Sequence, residues 1–239
     1  EIDFSHNFFR DNTSRLGKIL ANRFFEDEIK LSNCVFDYYC EATGNPNMYW
    51  VKVDEPEEVD YEETTSDGCP IDWDVWVSPV GSDDGEGSEA EPFQTIGWAL
   101  SVVVGTEDNP VTINLTEGIF SPSTNGEGFS INMVSNVNLI GQGEEVTILD
   151  AEQTNRVITM KDCEGNTISG LTLTGGLAEG EPPYNRGGGM NLEHSNPTIL
   201  NLIIRDNMAT FGGGINLDSS NPALTNVAIS GNTASWNGG

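Results

Sequence analysis

Apolar residues recur along this chain in short alternating runs, and near its C-terminus the runs repeat. Residues 187–211 read GGGMNLEHSNPTILNLIIRDNMATF and residues 212–236 read GGGINLDSSNPALTNVAISGNTASW, a spacing of 25 with roughly half the positions identical. Met190 and Leu192, then Ile199, Leu202 and Ile204, are answered by Ile215 and Leu217, then Leu224, Val227 and Ile229. This period-two alternation predicts short strands with one buried face. Asn196-Pro197 and Asn221-Pro222 punctuate them with turn chemistry. A three-to-five-residue strand cannot bury its apolar side alone, but a coil of such strands stacked about 4.8 Å apart shares one core. The pattern therefore predicts an all-β chain, a right-handed parallel β-helix, in which equivalent side chains lie above one another.

Stacking gives individual residues their tasks. Asn201 and Asn226 meet at one corner and can form a ladder of amide hydrogen bonds. The glycine triplets mark tight corners rather than phosphate cradles, because no strand, GxGxxG and helix follow one another. Ile168, Leu171 and Leu173 form an earlier rung, and Val111–Leu115, Val137–Ile140, Val146–Leu149 and Val157–Met160 the first ones. Residues 120–129 and the insertion Leu177–Arg186 are expected as loops leaving the coil. Upstream, Val75–Pro79 is a strand, and Pro92–Leu100 opens a short amphipathic helix able to cap the coil's N-terminal end.

The first 42 residues repeat the same pattern in an unexpected place. Arg10-Asp11-Asn12 matches Arg205-Asp206-Asn207, and Leu31-Ser32-Asn33-Cys34-Val35-Phe36 matches Leu224–Ile229. Residues 1–42 therefore resemble closing rungs, followed by an acidic linker over 43–70 and a capped β-helix over 71–239. The second repeat runs out at Asn237-Gly238-Gly239, where a third triplet would begin, and Glu1-Ile2-Asp3-Phe4 would continue it. One expectation is that residues 1–42 of one copy complete the open end of the next, a contact that propagates into a fibre. A second is that the chain is one unit of a longer tandem array, and a third that residues 1–40 fold back on their own coil. Ile2, Phe4, Phe8 and Phe9 would meet Ile215, Leu217, Ile229 and Trp236 across such an assembly contact.

Charge narrows the partners. Ten basic residues against 38 acidic ones give a net charge of -28, which excludes nucleic-acid binding through the chain's own charge. No run approaches the roughly 18 apolar residues of a membrane span, and no signal peptide opens the chain, so any export signal is expected to have been removed or to lie outside it. The acidic blocks 54–63 and 83–91 are expected as solvated loops, with calcium capture by Asp83, Asp84 and Glu86 as the functional alternative. Cys34, Cys40, Cys69 and Cys163 lack zinc-site spacing; Cys40–Cys69 or Cys34–Cys40 disulfides and buried free thiols both stand as readings.

The segment VWVSPVGSDDGEGSEAEPFQTIGWAL resembles the entry of secreted right-handed β-helix proteins of the pectate-lyase-like superfamily. The GGGI and DN-x-A repeats resemble chlamydial polymorphic outer-membrane proteins and related bacterial surface proteins. The resemblance implies an extracellular or cell-surface protein and a carboxylate cluster holding calcium beside a basic residue in its lyases. The outward positions of the GGG strand give Asn191 above Asn216 and Glu193 above Asp218, the best candidate calcium- or sugar-binding patch. Of Arg156, Lys161, Arg186 and Arg205, none aligns with that strand, and His194 and His6 have no stacked acid or serine, so no catalytic residue is expected. The expectation is a structural or adhesive β-helix assembling head-to-tail, with polysaccharide as a further partner. The alternatives are a secreted polysaccharide lyase or hydrolase and a non-catalytic carbohydrate-binding rod.

Overall fold

The computed structural model describes residues 71–238 apart from Pro183 and, within residues 1–70, the backbone of eight two-residue strands. The chain divides into two compact units, Glu1–Ile71 and Asp72–Gly239.

In the first unit the described strand pairs are all parallel. Ile2–Asp3, Ile29–Lys30 and Val59–Asp60 form one sheet, Phe8–Phe9, Val35–Phe36 and Thr65–Ser66 a second, and Leu20–Ala21 pairs with Val51–Lys52. Phe8 lies opposite Val35 and Phe9 opposite Phe36. That register agrees with the two sequence matches, which equate these residues with Ile203, Ala228, Ile204 and Ile229, themselves paired. Val51–Lys52, Val59–Asp60 and Thr65–Ser66 fall within residues 43–70, expected from their charge to form a linker. Phe4, His6, Cys34, Cys40 and Cys69 lie outside the described residues.

The second unit is a right-handed parallel β-helix of about five turns, built from three parallel sheets. The long sheet begins at Val75–Val77 and Val111–Leu115 and runs through Val137–Ile140 to the eight-residue strands Thr167–Thr174, Thr198–Arg205 and Ala223–Ser230; Gly118–Phe120 and Thr147–Asp150 supply its other half. The glycine-triplet sheet stacks Ile131–Asn132, Ile158–Lys161, Met190–Glu193 and Ile215–Asp218. The third sheet stacks Leu177–Ala178, Met208–Phe211 and Thr233–Asn237. Leu177 and Ala178 thus belong to the coil, and the inserted loop begins after them.

Register turns the alternating pattern into continuous apolar columns. Val75, Ile113, Leu139, Ile168, Ile199 and Leu224 stack in one, and Phe120, Leu149, Leu173, Ile204 and Ile229 in another. Every member except those of the last turn is fully buried. Burying a Leu or Ile side chain is worth about 1.5–3 kcal/mol, so the columns are the main source of stability.

Each turn changes direction at residues in the left-handed region. In the last turn these are Gly212, Ser219, Asn226 and Gly231, with φ of 60°, 51°, 52° and 65°. Asn201 and Asn226 form the expected ladder, Nδ2 of Asn226 donating to Oδ1 of Asn201 at 2.9 Å. At Gly188 the constraint is close approach: a Cβ there would stand 2.4 Å from the Met208 carbonyl oxygen and 2.6 Å from that of Gly213. The next corner glycine is Gly238, φ 72°, one residue later than a strict 25-residue spacing, because a bulge shifts the register between Ala209 and Phe211.

Further ladders satisfy several of the buried polar groups. Asn207 donates to the Leu173 carbonyl and to Asn232 Oδ1 and accepts from the Gly176 amide. Cys163 occupies the column of Ser195 and Ser220, each residue's amide donating to the next hydroxyl at 3.0 Å. It is a buried free thiol, and burial pushes its pKa up. Asn166 Oδ1 has no partner, and the residue in register above it, Pro197, has no N–H to offer.

The helix spans Ile96–Val102 and packs its buried face against Val75–Val77 and Ile131–Asn132. Thr95 is its N-cap and accepts from the Trp98 amide. The buried Glu127 carboxylate accepts from the Ile96 and Gly97 amides at 2.6 and 3.0 Å, satisfying the orphan donors of the first turn.

Candidate functional site

The glycine-triplet sheet brings together the four residues expected there. Asn191 pairs in register with Asn216, and Glu193 with Asp218. Asn216 Nδ2 donates to Asn191 Oδ1 at 2.8 Å, and Asn191 Nδ2 donates to Glu193 Oε1 at 3.1 Å. Asn191 is only 1% exposed, so it supports the surface rather than presenting it. Glu193, Asn216 and Asp218 are partly accessible.

Two expectations about this face are corrected. Lys161 does lie on the sheet, in register directly below Glu193, so that Lys161, Glu193 and Asp218 form one column. Arg186 extends to the same column, its Nη1 3.4 Å from Asp218 Oδ2. Arg156, buried below the inserted loop, donates to the Tyr184 carbonyl; burial lowers its pKa and the Glu193 charge opposes that shift. Three of the four basic residues of this unit therefore gather on one face. His194 also has a stacked acid, Asp162, at 3.5 Å from Nδ1 to Oδ1, but both side chains are largely exposed. Ser219 follows in that corner column and its hydroxyl donates to Asp218.

The acidic loop is organised differently. Asp83 Oδ1 accepts from the Gln94 and Thr95 amides at 2.8 and 2.9 Å, and Oδ2 accepts from the Thr95 hydroxyl at 2.8 Å. Its carboxylate thus fastens the loop to the start of the helix. Among the described residues no three His, Cys, Asp or Glu side chains converge on a metal position, whether at Asp83, Asp84 and Glu86 or at Glu193 and Asp218. Elsewhere Glu152 accepts from the Ser121 and Ser123 hydroxyls, and those bonds, Ser123 first, lower its pKa.

An aromatic ridge borders the polar face. The rings of Phe211 and Trp236, one turn apart, have centroids 6.1 Å apart at 56°. The backbone of Arg186 bridges to Phe211 while its guanidinium reaches Asp218, so one residue joins the ridge to the acid column. Chemically the arrangement offers amide and carboxylate hydrogen-bonding groups, with a half-buried Phe211 and an exposed Trp236 on the adjoining sheet and the cations near those acids. Ile215, Leu217, Ile229 and Trp236, expected from the sequence at an assembly contact, all belong to the last described turn; Leu217 and Ile229 are 50% and 47% exposed. Ile2 and Phe8–Phe9 lie in strands of the first unit.

The chain is 31% identical over 107 residues to the Uncharacterized protein YwoF of Bacillus subtilis (strain 168), a match covering 41% of this chain. The matched part spans about a fifth of that relative's length, 21%. No solved structure matches significantly. The stacked-rung architecture of residues 72–238 coincides with a family match over residues 80–238, most of the chain, and on that match the chain belongs to the family described as "Protein of unknown function (DUF1565)".

Proposed function

We propose that this chain is a non-catalytic structural or adhesive segment of an extracellular β-helical rod, extended coil on coil into a fibre or tandem array. The observation carrying this reading is the last turn. Leu217, Leu224, Ile229 and Trp236 are exposed, whereas Leu192, Ile199 and Ile204 in the preceding turn are buried. Further parallel coil, such as that of residues 1–42 of a second copy, would cover these side chains and pair the strand edge beside them. The acidic exterior, part of the net charge of -28, keeps such a rod soluble.

Sedimentation of the 239-residue chain over a wide concentration range tests this. Association end to end that is lost in a Leu224→Lys/Ile229→Lys variant supports the rod. A monomer at every concentration, indistinguishable from that variant, overturns it.

A second reading, a polysaccharide lyase, is favoured by one observation: Lys161 stands in the Glu193–Asp218 column, where an anionic substrate and a base would be needed. Turnover of polyuronates with added calcium, abolished by Glu193→Ala or Asp218→Ala, would establish it. Turnover absent across polyuronates would remove it.

A further inference from the structure

We propose that residues 81–102, with the 120–129 loop, form an autoinhibitory plug latched by Asp83 and Glu127 over the coil's first strand, barring that strand to the last turn of a second copy. The plug deepens the end-to-end reading, and rests on its claim that the last turn receives further coil.

Both features that a stacking coil would need are occupied. Val75–Val77 pairs on one side with Val111–Leu115. Its other edge is taken by the acidic loop: the Trp76 amide donates to the Gly87 carbonyl at 2.8 Å, the Phe93 amide to the Trp76 carbonyl at 2.9 Å, and the Ser78 amide to the Phe93 carbonyl at 2.8 Å. A loop in place of a strand thus satisfies the edge. Its close seating needs a glycine, since a Cβ at Gly81 would stand 2.3 Å from the Phe93 carbonyl oxygen. Val75 heads the apolar column that ends in Leu224, and the helix packs against its strand with Ile96, Ala99 and Leu100 buried. With the plug removed, Leu224 of a second copy would continue that column beneath Val75.

Four successive amides carry the latch. Those of Gln94 and Thr95 donate to Asp83, at 2.8 and 2.9 Å, and those of Ile96 and Gly97 to Glu127, at 2.6 and 3.0 Å. Asn125 Nδ2 donates to the Gln94 carbonyl at 2.8 Å, and Gln94 Nε2 to the Asn125 carbonyl at 3.2 Å, so the 120–129 loop is fastened to the same segment. Glu127 is 1% exposed, and a buried carboxylate is costly without its donors. Helix start and loop therefore leave the coil together or not at all.

Hydrogen–deuterium exchange and sedimentation of an Asp83→Ala/Glu127→Ala variant of the 239-residue chain test the plug. Amides of 94–97 should exchange at least about tenfold faster than in the parent, with those of 190–205 unchanged. The variant should form larger species than the parent at equal concentration, and adding Leu224→Lys/Ile229→Lys should abolish the gain. If the variant does not fold, exchange of the parent in sub-denaturing urea decides: 94–97 and 125–127 should open together before 190–205. Unchanged exchange at 94–97, no gain in association once they exchange, a gain that survives the lysines, or opening only with the whole coil overturns the proposal. A parent that associates with no gain on release removes the plug and keeps the rod. A monomeric parent whose released variant associates removes the rod and keeps the plug.

Discussion

The turn of residues 187–211 and the one that follows it share a sequence pattern and a backbone, yet their core positions differ. Ile204 is fully buried and its partner Ile229 is 47% exposed; Leu192 is fully buried and Leu217 is 50% exposed. The residue types are nearly identical, so the difference comes from what is stacked on each. A rung in a β-helix gains its burial from two neighbours, and the last described rung has one. Stability is thereby a property of the interfaces between rungs more than of any rung.

Paired substitutions across the two turns should show this most strongly. Ile204→Ala should cost about 3–5 kcal/mol in denaturant unfolding, and Ile229→Ala about 1 kcal/mol, since much of its surface is already in water. Equal costs would mean the last turn is covered in solution. The inner amide ladder offers a finer version. Asn207→Ala leaves the Gly176 amide and the Leu173 carbonyl without their partner and should cost about 2–3 kcal/mol, whereas Asn232→Ala, at a half-buried site, should cost about 1 kcal/mol.

At the outer corner the expected effects are smaller. Asn201→Ala loses the ladder bond and puts at φ 50° a residue that tolerates the left-handed region less well than asparagine, for about 1 kcal/mol, while Asn201→Gly adopts that dihedral without a β-carbon and should cost less. The smallest effect lies outside both turns. The folded pKa of Glu152 is depressed by its serine hydrogen bonds, so its tether holds above the ordinary carboxylate value and is lost as pH falls through the lowered one. A carboxyl-carbon NMR titration should place its midpoint below the usual glutamate value, and Ser123→Ala should move that midpoint back up. A midpoint unaffected by Ser123→Ala would remove this cause.

Much of the fold was legible because a β-helix writes its register into the sequence. The 25-residue spacing, the Asn201–Asn226 corner and the inward positions of both repeats follow from stacking alone. The site was legible only where that spacing held. Met190 pairs with Ile215 after 25 residues, but Ile158 pairs with Met190 after 32, because the inserted loop lengthens that turn. The longer step hid Lys161 beneath Glu193 and Asp162 beneath His194. Had Ile158 been aligned with Met190 by their matching strand pattern, both would have appeared. Arg186 and Glu127 act across loops, at Asp218 and at the helix start, where no periodicity points. Asp83, grouped by charge with its neighbours, proved to be a clasp on Thr95.

The proposed rod requires the last described rung to be an open edge that accepts further coil, and hydrogen–deuterium exchange followed by mass spectrometry across concentration tests that most directly. In dilute chain, amides of 215–230 should exchange far faster than those of 190–205, and concentrating the sample should slow the first set toward the second. Equal protection of both segments at every concentration, or fast exchange of 215–230 that concentration leaves unchanged, would contradict it.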